Sequence, residues 1–388
     1  MFKKTDVELQ QLGAMITVKE IKQQPELWKE AFDSYIEKKA DINDFLEMVV
    51  KKHGRIRVIF TGAGTSAYVG DTVLPYLKEK VNEEVWDLQS VPTTHIVSNP
   101  YEYFKRDIPT LLVSFARSGN SPESIATVDL GKQIVKDFYQ ITITCAPDGK
   151  LAQAADDDSS NLLLLMPADS NDKGFAMTGS YTCMTLTALL MFDTTTDGEK
   201  ETFVGHTISM GKDVIKREEE IREIVNLDFN RVIYLGSGSL AGLAREASLK
   251  LLELTAGKTA TLFDSSMGFR HGPKSFVDDK SLIFVFISNN GYTRKYDLDI
   301  LNEVHTDKIT EHIWCLTTSE EALFEGNKFS FAGASGSMPD AYLALPYIMF
   351  AQTVAIMAAV KMRNKPDTPS ASGTVNRVVK GVTIHEWR

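Results

Sequence analysis

Four short stretches of this chain carry side chains that can hold an anion or move a proton. Gly62-Ala63-Gly64-Thr65-Ser66 follows an apolar run and opens a helical stretch. Ala116-Arg117-Ser118-Gly119-Asn120-Ser121 does the same after the run Thr110 to Phe115. Glycine and serine at a strand-to-helix turn offer backbone N–H groups and hydroxyls at the positive end of a helix, where a phosphate is a natural guest. Ser121 before Pro122 could instead simply cap a helix, but capping leaves Arg117, Ser118 and Asn120 together without a role. Neither turn has the full G-x-G-x-x-G spacing of a dinucleotide site.

The other two stretches suit proton transfer. Glu253 lies in Ala247-Ser248-Leu249-Lys250-Leu251-Leu252-Glu253-Leu254. Among leucines a carboxylate is costly to keep ionised, which suits a group that takes and gives protons near neutral pH. The spacing equally allows a surface glutamate paired with Lys250 at i−3. His271 stands in Gly268-Phe269-Arg270-His271-Gly272-Pro273-Lys274, a loop that fixes its backbone and leaves it able to titrate near pH 7; a purely structural histidine fits the same pattern. The remaining histidines (His53, His95, His206, His305, His312 and His385) share no metal-ligand spacing, and no Ser-His-Asp or Cys-His arrangement can be read from the sequence. Neither a metal nor a redox cofactor is expected.

The elements that must position these residues come as a pair. Arg57-Val-Ile-Phe-Thr-Gly-Ala-Gly-Thr-Ser66 returns 174 residues later as Arg231-Val-Ile-Tyr-Leu-Gly-Ser-Gly-Ser-Leu240. A repeated strand–turn–helix unit implies two similar α/β domains, with an anion site possible in each. Apolar runs predict strands at 57–61, 85–89, 110–115, 140–145 and 162–166, then near 231–235, 259–263, 282–288, 312–317 and 328–331. Helical patterns fill 66–82, 122–138, 175–192, 240–256, 293–306 and 340–362. Strands alternating with helices mean parallel sheets covered on both faces. The expected division is a helical extension at 1–50, a first α/β domain at 51–200, a connecting helix within 201–230, a second domain at 231–365 and a tail at 366–388. Within the connector, Lys216 to Glu220 reads as a solvated face.

Composition narrows the function classes. A net charge of −10 disfavours nucleic acid as a partner. No run is read as reaching the roughly 20 apolar residues of a membrane span, and no export signal follows Met1-Phe2-Lys3-Lys4. The three scattered cysteines fit a reducing cytosol.

The glycine-serine turn, the S-G-x-S turn, the L-K-x-x-E helix and the H-G-P loop, in this order on two α/β units, resemble the sugar isomerase (SIS) family. The resemblance covers about residues 50 to 388 and includes the isomerase half of glucosamine-6-phosphate synthase. It implies two tandem SIS domains, each a three-layer αβα sandwich around a five-stranded parallel, flavodoxin-like sheet. It further implies a cofactor-independent enzyme of the cytosol whose partner is a small sugar phosphate, acting as a homodimer or larger homo-oligomer.

By the same resemblance, Gly64, Thr65 and Ser66 with Arg117, Ser118, Gly119, Asn120 and Ser121 hold the phosphate. Met177 and Thr178, within Gly174 to Gly179, border the sugar. Glu253 is the general base, His271 opens the ring from the neighbouring subunit, and Lys380 near the C-terminus forms or stabilises an imine. Ala116 and Arg117 stand where the family carries serine and glutamine, and Met177 and Gly179 where it carries polar residues. No glutaminase domain is expected and position 2 is Phe rather than a nucleophilic cysteine, so nitrogen is expected to leave the sugar rather than enter it. The implied reaction converts an amino sugar 6-phosphate, galactosamine 6-phosphate foremost, to a ketose 6-phosphate and ammonia. Plain aldose–ketose isomerisation and a non-catalytic phosphosugar sensor are the alternatives.

Overall fold

The structure is a computed structural model that describes residues 1–319, 324–331, 338–377, 379 and 381–387. Three helices come first: α1 (Asp6–Leu12), α2 (Met15–Lys22) and α3 (Gln24–His53). They are followed by β1 (Ile56–Thr61), α4 (Thr65–Lys80), β2 (Trp86–Ser90), the short α5 (Thr93–Ser98) and α6 (Pro100–Tyr103), and β3 (Thr110–Ala116). Next are α7 (Pro122–Ile134), β4 (Phe138–Thr144), α8 (Lys150–Gln153), β5 (Asn161–Leu165) and α9 (Gly179–Phe192). Then α10 (Asp197–Lys216) and α11 (Glu218–Asn226) lead to β6 (Arg231–Gly236), α12 (Ser239–Leu254), β7 (Ala260–Ser265) and β8 (Ser281–Phe286). The last elements are α13 (Thr293–Thr306), β9 (Ile313–Thr317), β10 (Asn327–Ser330) and α14 (Asp340–Lys361).

These elements form two units. One, here the first-sheet unit, comprises residues 27–172, 179–196 and 373–388; the second-sheet unit comprises 1–26, 173–178 and 197–372. The helices before residue 50 are thus divided at residue 26.

Each unit is built on a five-stranded sheet with every pairing parallel. The first runs β2-β1-β3-β4-β5 and the second β7-β6-β8-β9-β10, which is the same order by position. Right-handed crossovers in such an order send helices to both faces, and the cores agree. In the first sheet, Phe60 stacks on Phe115 and meets Phe192 of α9 edge-on. The opposite face packs Ile59 and Leu112 against Ile96 of α5 and Val128 and Ile134 of α7. In the second, Tyr234 stacks on Phe284 and Phe286, which meet Phe350 and Tyr347 of α14. Its other face packs Ile233, Leu235, Ile283 and Val285 against Ile300, Leu301 and Val304 of α13.

The differences from the sequence reading have identifiable causes. The helix expected from 175 begins at Gly179, because Asp172 caps it there: its carboxylate accepts from Gly179 N (3.1 Å), Ser180 N (3.0 Å) and Ser180 Oγ. The connecting helix is two helices, broken at Arg217, and its charge cluster is not uniformly solvated. Glu218 is fully buried, accepting from the Met1 amino group and Phe2 N, and the Arg217 guanidinium lies 3.8 Å over the Phe329 ring. A chain segment long and apolar enough to cross a membrane does exist, contrary to the reading above. It is α14, 22 residues of mean hydropathy 1.9, with 94% of its apolar window buried inside the protein. Packing against α12, α10, α11 and the second sheet supplies the apolar surroundings that its composition requires.

The repeated G-x-G is first of all a turn geometry. Gly64 and Gly238 hold φ +57, ψ −129 and φ +56, ψ −126, a backbone conformation that side chains disfavour. A Cβ on Gly62 would stand 2.6 Å from the Ser66 backbone, and one on Gly236 2.5 Å from Leu240 O. Helix and strand therefore approach as closely as only glycine allows in both units. Gly236→Ala is expected to cost about 1–3 kcal/mol or more through overpacking against main chain that cannot yield, measured as a lowered urea midpoint.

Candidate active site

In an open parallel sheet, ligands bind beyond the carboxyl ends of the strands at the point where strand order reverses. In the first sheet that point lies between β1 and β3, and the two glycine-serine turns flank it. After β1, Gly64 turns the chain so that Thr65 and Ser66, both buried, form the first turn of α4. After β3, Gly119 takes φ +64 and the loop closes on itself: Ser118 Oγ accepts from Asn120 N at 3.3 Å. Asn120 Oδ1 accepts from Lys150 N at 3.1 Å, and Gly119 O from Leu151 N at 3.1 Å, tying the loop to the start of α8. Ser121 occupies the N-cap position of α7, yet its side chain makes no capping bond. Capping alone therefore does not explain that serine.

Arg117 is 7% exposed, and its Nη2 donates to Arg377 O at 2.7 Å. Arg377 in turn donates through Nε to Asp172 O (2.9 Å) and through Nη2 to Asn171 Oδ1 (3.0 Å). Trp387 packs its ring 5.2 Å from Tyr101 and joins the apolar cluster beneath. The guanidinium that the sequence assigns to the phosphate is thus also the anchor of the C-terminal segment within the first-sheet unit.

The second switch point is occupied from within. Asp297 of α13, fully buried, accepts from Ser237 Oγ (2.5 Å), Ser266 Oγ (2.5 Å) and Ser288 N (3.0 Å). Ser237 follows β6, Ser266 follows β7 and Ser288 lies just past β8, so a carboxylate sits where the first sheet has its glycine-serine turns. Beside it, Asp340 accepts from Ser288 Oγ and from Asn289 N (2.7 Å). Burial pushes both carboxyls above their ordinary range, against the pull of these donors and of Arg294. In the second unit the protein's own carboxyl group gathers these donors, and Leu240 stands where the first unit has Ser66. No sequence signal marks Asp297, which stands in a helix with no glycine-rich motif beside it.

The proton-transfer candidates belong to the second-sheet unit. Glu253 lies near the C-terminus of α12, partly exposed, next to the exposed Leu252 rather than sealed among leucines. Its Oε2 accepts from Lys250 Nζ at 2.6 Å. Lys250 is fully buried and lies 3.4 Å from the buried Glu246, so a carboxylate flanks the ammonium on either side. Of the two sequence readings of Glu253, the geometry shows the pairing with Lys250, and the lysine beneath it is buried. His271 closes the turn 268–270 and precedes Gly272 at φ +117. Arg270 and Lys274 on either side are ion-paired to Glu303 (2.6 and 2.5 Å), and Lys274 also to Asp307 (2.6 Å), bolting the loop to α13. His271 itself is exposed. Met177 and Thr178 also belong to this unit, Thr178 buried and Met177 partly exposed. Lys380 lies outside the described residues.

The thiols are poor nucleophiles. Burial pushes Cys145 up to about 12 and Cys315 to about 11, and raises Cys183 as well.

Asp297 makes stability depend on pH in a definite sense. Its folded-state pKa is raised by burial, so the protonated carboxyl favours the fold, and that contribution is present below the unfolded value near 3.9 and lost as pH rises through the folded value. The margin by which the native chain exceeds Asp297→Asn in denaturation midpoint should therefore shrink between pH 4 and pH 7; a margin that grows over that range contradicts this account.

Comparison with known proteins agrees with this architecture. The SIS domain family model matches residues 227–362. The D-galactosamine-6-phosphate deaminase AgaS of Escherichia coli is 42% identical over 382 residues, 96% of each chain. A Clostridium novyi NT structure assigned as a tagatose-6-phosphate ketose/aldose isomerase is 41% identical, with TM-score 0.94 over 100% of this chain and 99% of its own. The tagatose-6-phosphate ketose/aldose isomerase structure from Escherichia coli is 38% identical, with TM-score 0.85 over 96% of both. With two equivalent parallel sheets and relatives of this identity along nearly its whole length, the chain belongs to the SIS-domain family, in the branch that holds the AgaS proteins.

Proposed function

We propose that this chain is a deaminating isomerase that converts galactosamine 6-phosphate to tagatose 6-phosphate and ammonia. The observation that carries this reading is the 42% identity, over 96% of both chains, to a D-galactosamine-6-phosphate deaminase. The two turns at the first switch point support it, because they offer N–H groups and hydroxyls where an anion is expected.

In this reading Ser66, Ser118 and Ser121, with the backbone of Gly64, Thr65, Gly119 and Asn120, hold the phosphate. Arg117 adds charge there while anchoring the C-terminal segment. The binding energy of that remote group orients C1 and C2. His271 moves a proton from O1 to the ring oxygen, giving the open-chain aldehyde. Glu253 takes the proton from C2 and returns it to C1 through an enolamine, while O1 gains a proton and the amino nitrogen gives one up, which yields a C2 imine beside a C1 hydroxymethyl group. Water adds to the imine carbon and ammonia leaves, so the ketone oxygen comes from water. Lys380 is assigned the imine-forming or charge-stabilising role by resemblance. Met177 and Thr178 border the sugar.

We infer that both sheets are SIS domains. Their identical strand order and paired G-x-G turns support this beyond the residues that the family model covers. The three free, buried cysteines suit the cytosol. The exposed His271, on a loop braced from both sides, suits donation to a neighbouring subunit of a homodimer.

Purified protein given galactosamine 6-phosphate should release ammonia and ketose 6-phosphate in equal amounts. Ketose formation from an aldose 6-phosphate, with no ammonia from any hexosamine 6-phosphate, would replace the deaminase by a plain isomerase. Glu253→Gln should lower kcat by about 100- to 10,000-fold with little change in KM, whereas a phosphosugar sensor would show no turnover to lose. If His271 serves the partner's site, mixing inactive His271→Ala and Glu253→Gln chains should restore activity at about a quarter of sites through hybrid dimers; no recovery after subunit exchange places His271 in its own chain's site.

A further inference from the structure

Residues 173–178 have no regular secondary structure, so their backbone donors need acceptors from elsewhere. Two find one on α2. Glu20 Oε1 accepts from Lys173 N and from Gly174 N (3.1 Å), and Oε2 lies 3.3 Å from Gly174 N. Glu20 is 6% exposed, and a carboxylate buried to that degree needs such donors. An independent observation points to the same contact. A Cβ on Gly174 would stand 2.8 Å from Glu20 Oε2 and 3.1 Å from Thr17 Oγ1, so a larger residue there would push against the carboxylate.

The helix that presents Glu20 is itself held. With only eight residues α2 is too short to be stable alone. Asp367, in the loop after α14, accepts from Ile16 N (3.1 Å), Thr17 N (2.9 Å) and Thr17 Oγ1 (2.8 Å), supplying the N-terminal acceptors. At the other end Gln24 Nε2 donates to Gln352 Oε1 of α14 at 2.7 Å, both side chains buried. Val18 and Ile21 are buried between these anchors. The position of the carboxylate is therefore set by α14 and the loop that follows it.

We propose that Glu20 is a positioning residue that fixes segment 173–178, and through Met177 and Thr178 sets discrimination between hexosamine 6-phosphate epimers. This rests on the assignment of Met177 and Thr178 to the sugar, made above. Glu20 itself touches no substrate. The segment's burial alternates, with Gly174, Ala176 and Thr178 buried and Lys173, Phe175 and Met177 at least partly exposed. A shift at Gly174 is thus passed along a short, tightly seated stretch.

The test compares the full-length chain with Glu20→Gln, Glu20→Ala and Gly174→Ala. Ammonia release is measured from galactosamine 6-phosphate and glucosamine 6-phosphate, together with inhibition by inorganic phosphate. Glutamine can accept one of the two N–H groups only by turning its amide donors toward the other, so its effect should be the smaller of the two at position 20. The expected result is a fall of roughly 10- to 100-fold in kcat/KM for the preferred epimer, carried largely by KM, with a changed ratio between epimers and unchanged inhibition by phosphate. Folded variants with native KM and epimer ratio, whatever their melting temperatures, overturn the proposal, provided Met177→Ala or Thr178→Val does alter the ratio. If those two also leave the ratio unchanged, the assignment of the sugar-bordering residues falls first, and this inference with it. Should the variants at 20 and 174 not fold, Asp367→Asn, which loosens α2 from its far side, is read by the same ratio and decides on the same terms.

Discussion

A parallel strand that runs directly into a helix brings that helix's unpaired N–H groups to the edge of the sheet, a point of positive potential that has to be met by something negative or polar. This chain builds the turn twice with the same pair of glycines, one required by the close approach of the helix and one by its positive φ. The two units then meet the same electrostatic demand in different ways. Around β1 and β3 the surrounding groups are serine hydroxyls and backbone donors, which suits an exchangeable anion. Around β6 and β8 they close on Asp297, an internal carboxyl group. One repeated turn thus stands in two different polar settings.

The charged groups of the second-sheet unit follow a related logic. Lys250 is sealed in α12 with Glu246 and Glu253 on its two sides. Removing the lysine would strand a buried carboxylate, which ordinarily costs more than the pair ever contributes. Glu253 lies on the more exposed side of this trio. His271 is treated differently: its neighbours Arg270 and Lys274 are fixed by Glu303 and Asp307, which leaves the imidazole presented on a rigid loop with no hydrogen-bonding partner among the described residues.

Two segments remote in sequence brace these parts. The C-terminal residues reach the first-sheet unit through the Arg117–Arg377 contact and Trp387. The N-terminal helix α2 reaches segment 173–178 of the second-sheet unit through Glu20. Both contacts are made to backbone groups of irregular segments, where a side chain must do what a regular ladder does elsewhere.

Local patterns settled much of this in advance. All ten strands, the longer helices between them and the glycine-serine turns could be read from the sequence, because apolar runs, helical periodicity and glycine spacing report on backbone geometry within a few residues; the short α5, α6 and α8 could not. Patterning failed where a distant group intervened. Asp172 delayed the start of α9, Glu218 was drawn inside a cluster read as solvated, and α14 found its apolar surroundings within the protein. The G-x-G repeat itself determined two equivalent turns but not two equivalent sites. That difference rests on Asp297, Ser266 and Ser288, which lie on separate elements and meet only when the second sheet assembles. The residue types and the turns were fixed by the chain locally; that a carboxyl group closes the second turn was decided by tertiary packing, since Asp297 can be held there only once folding has brought its donors around it.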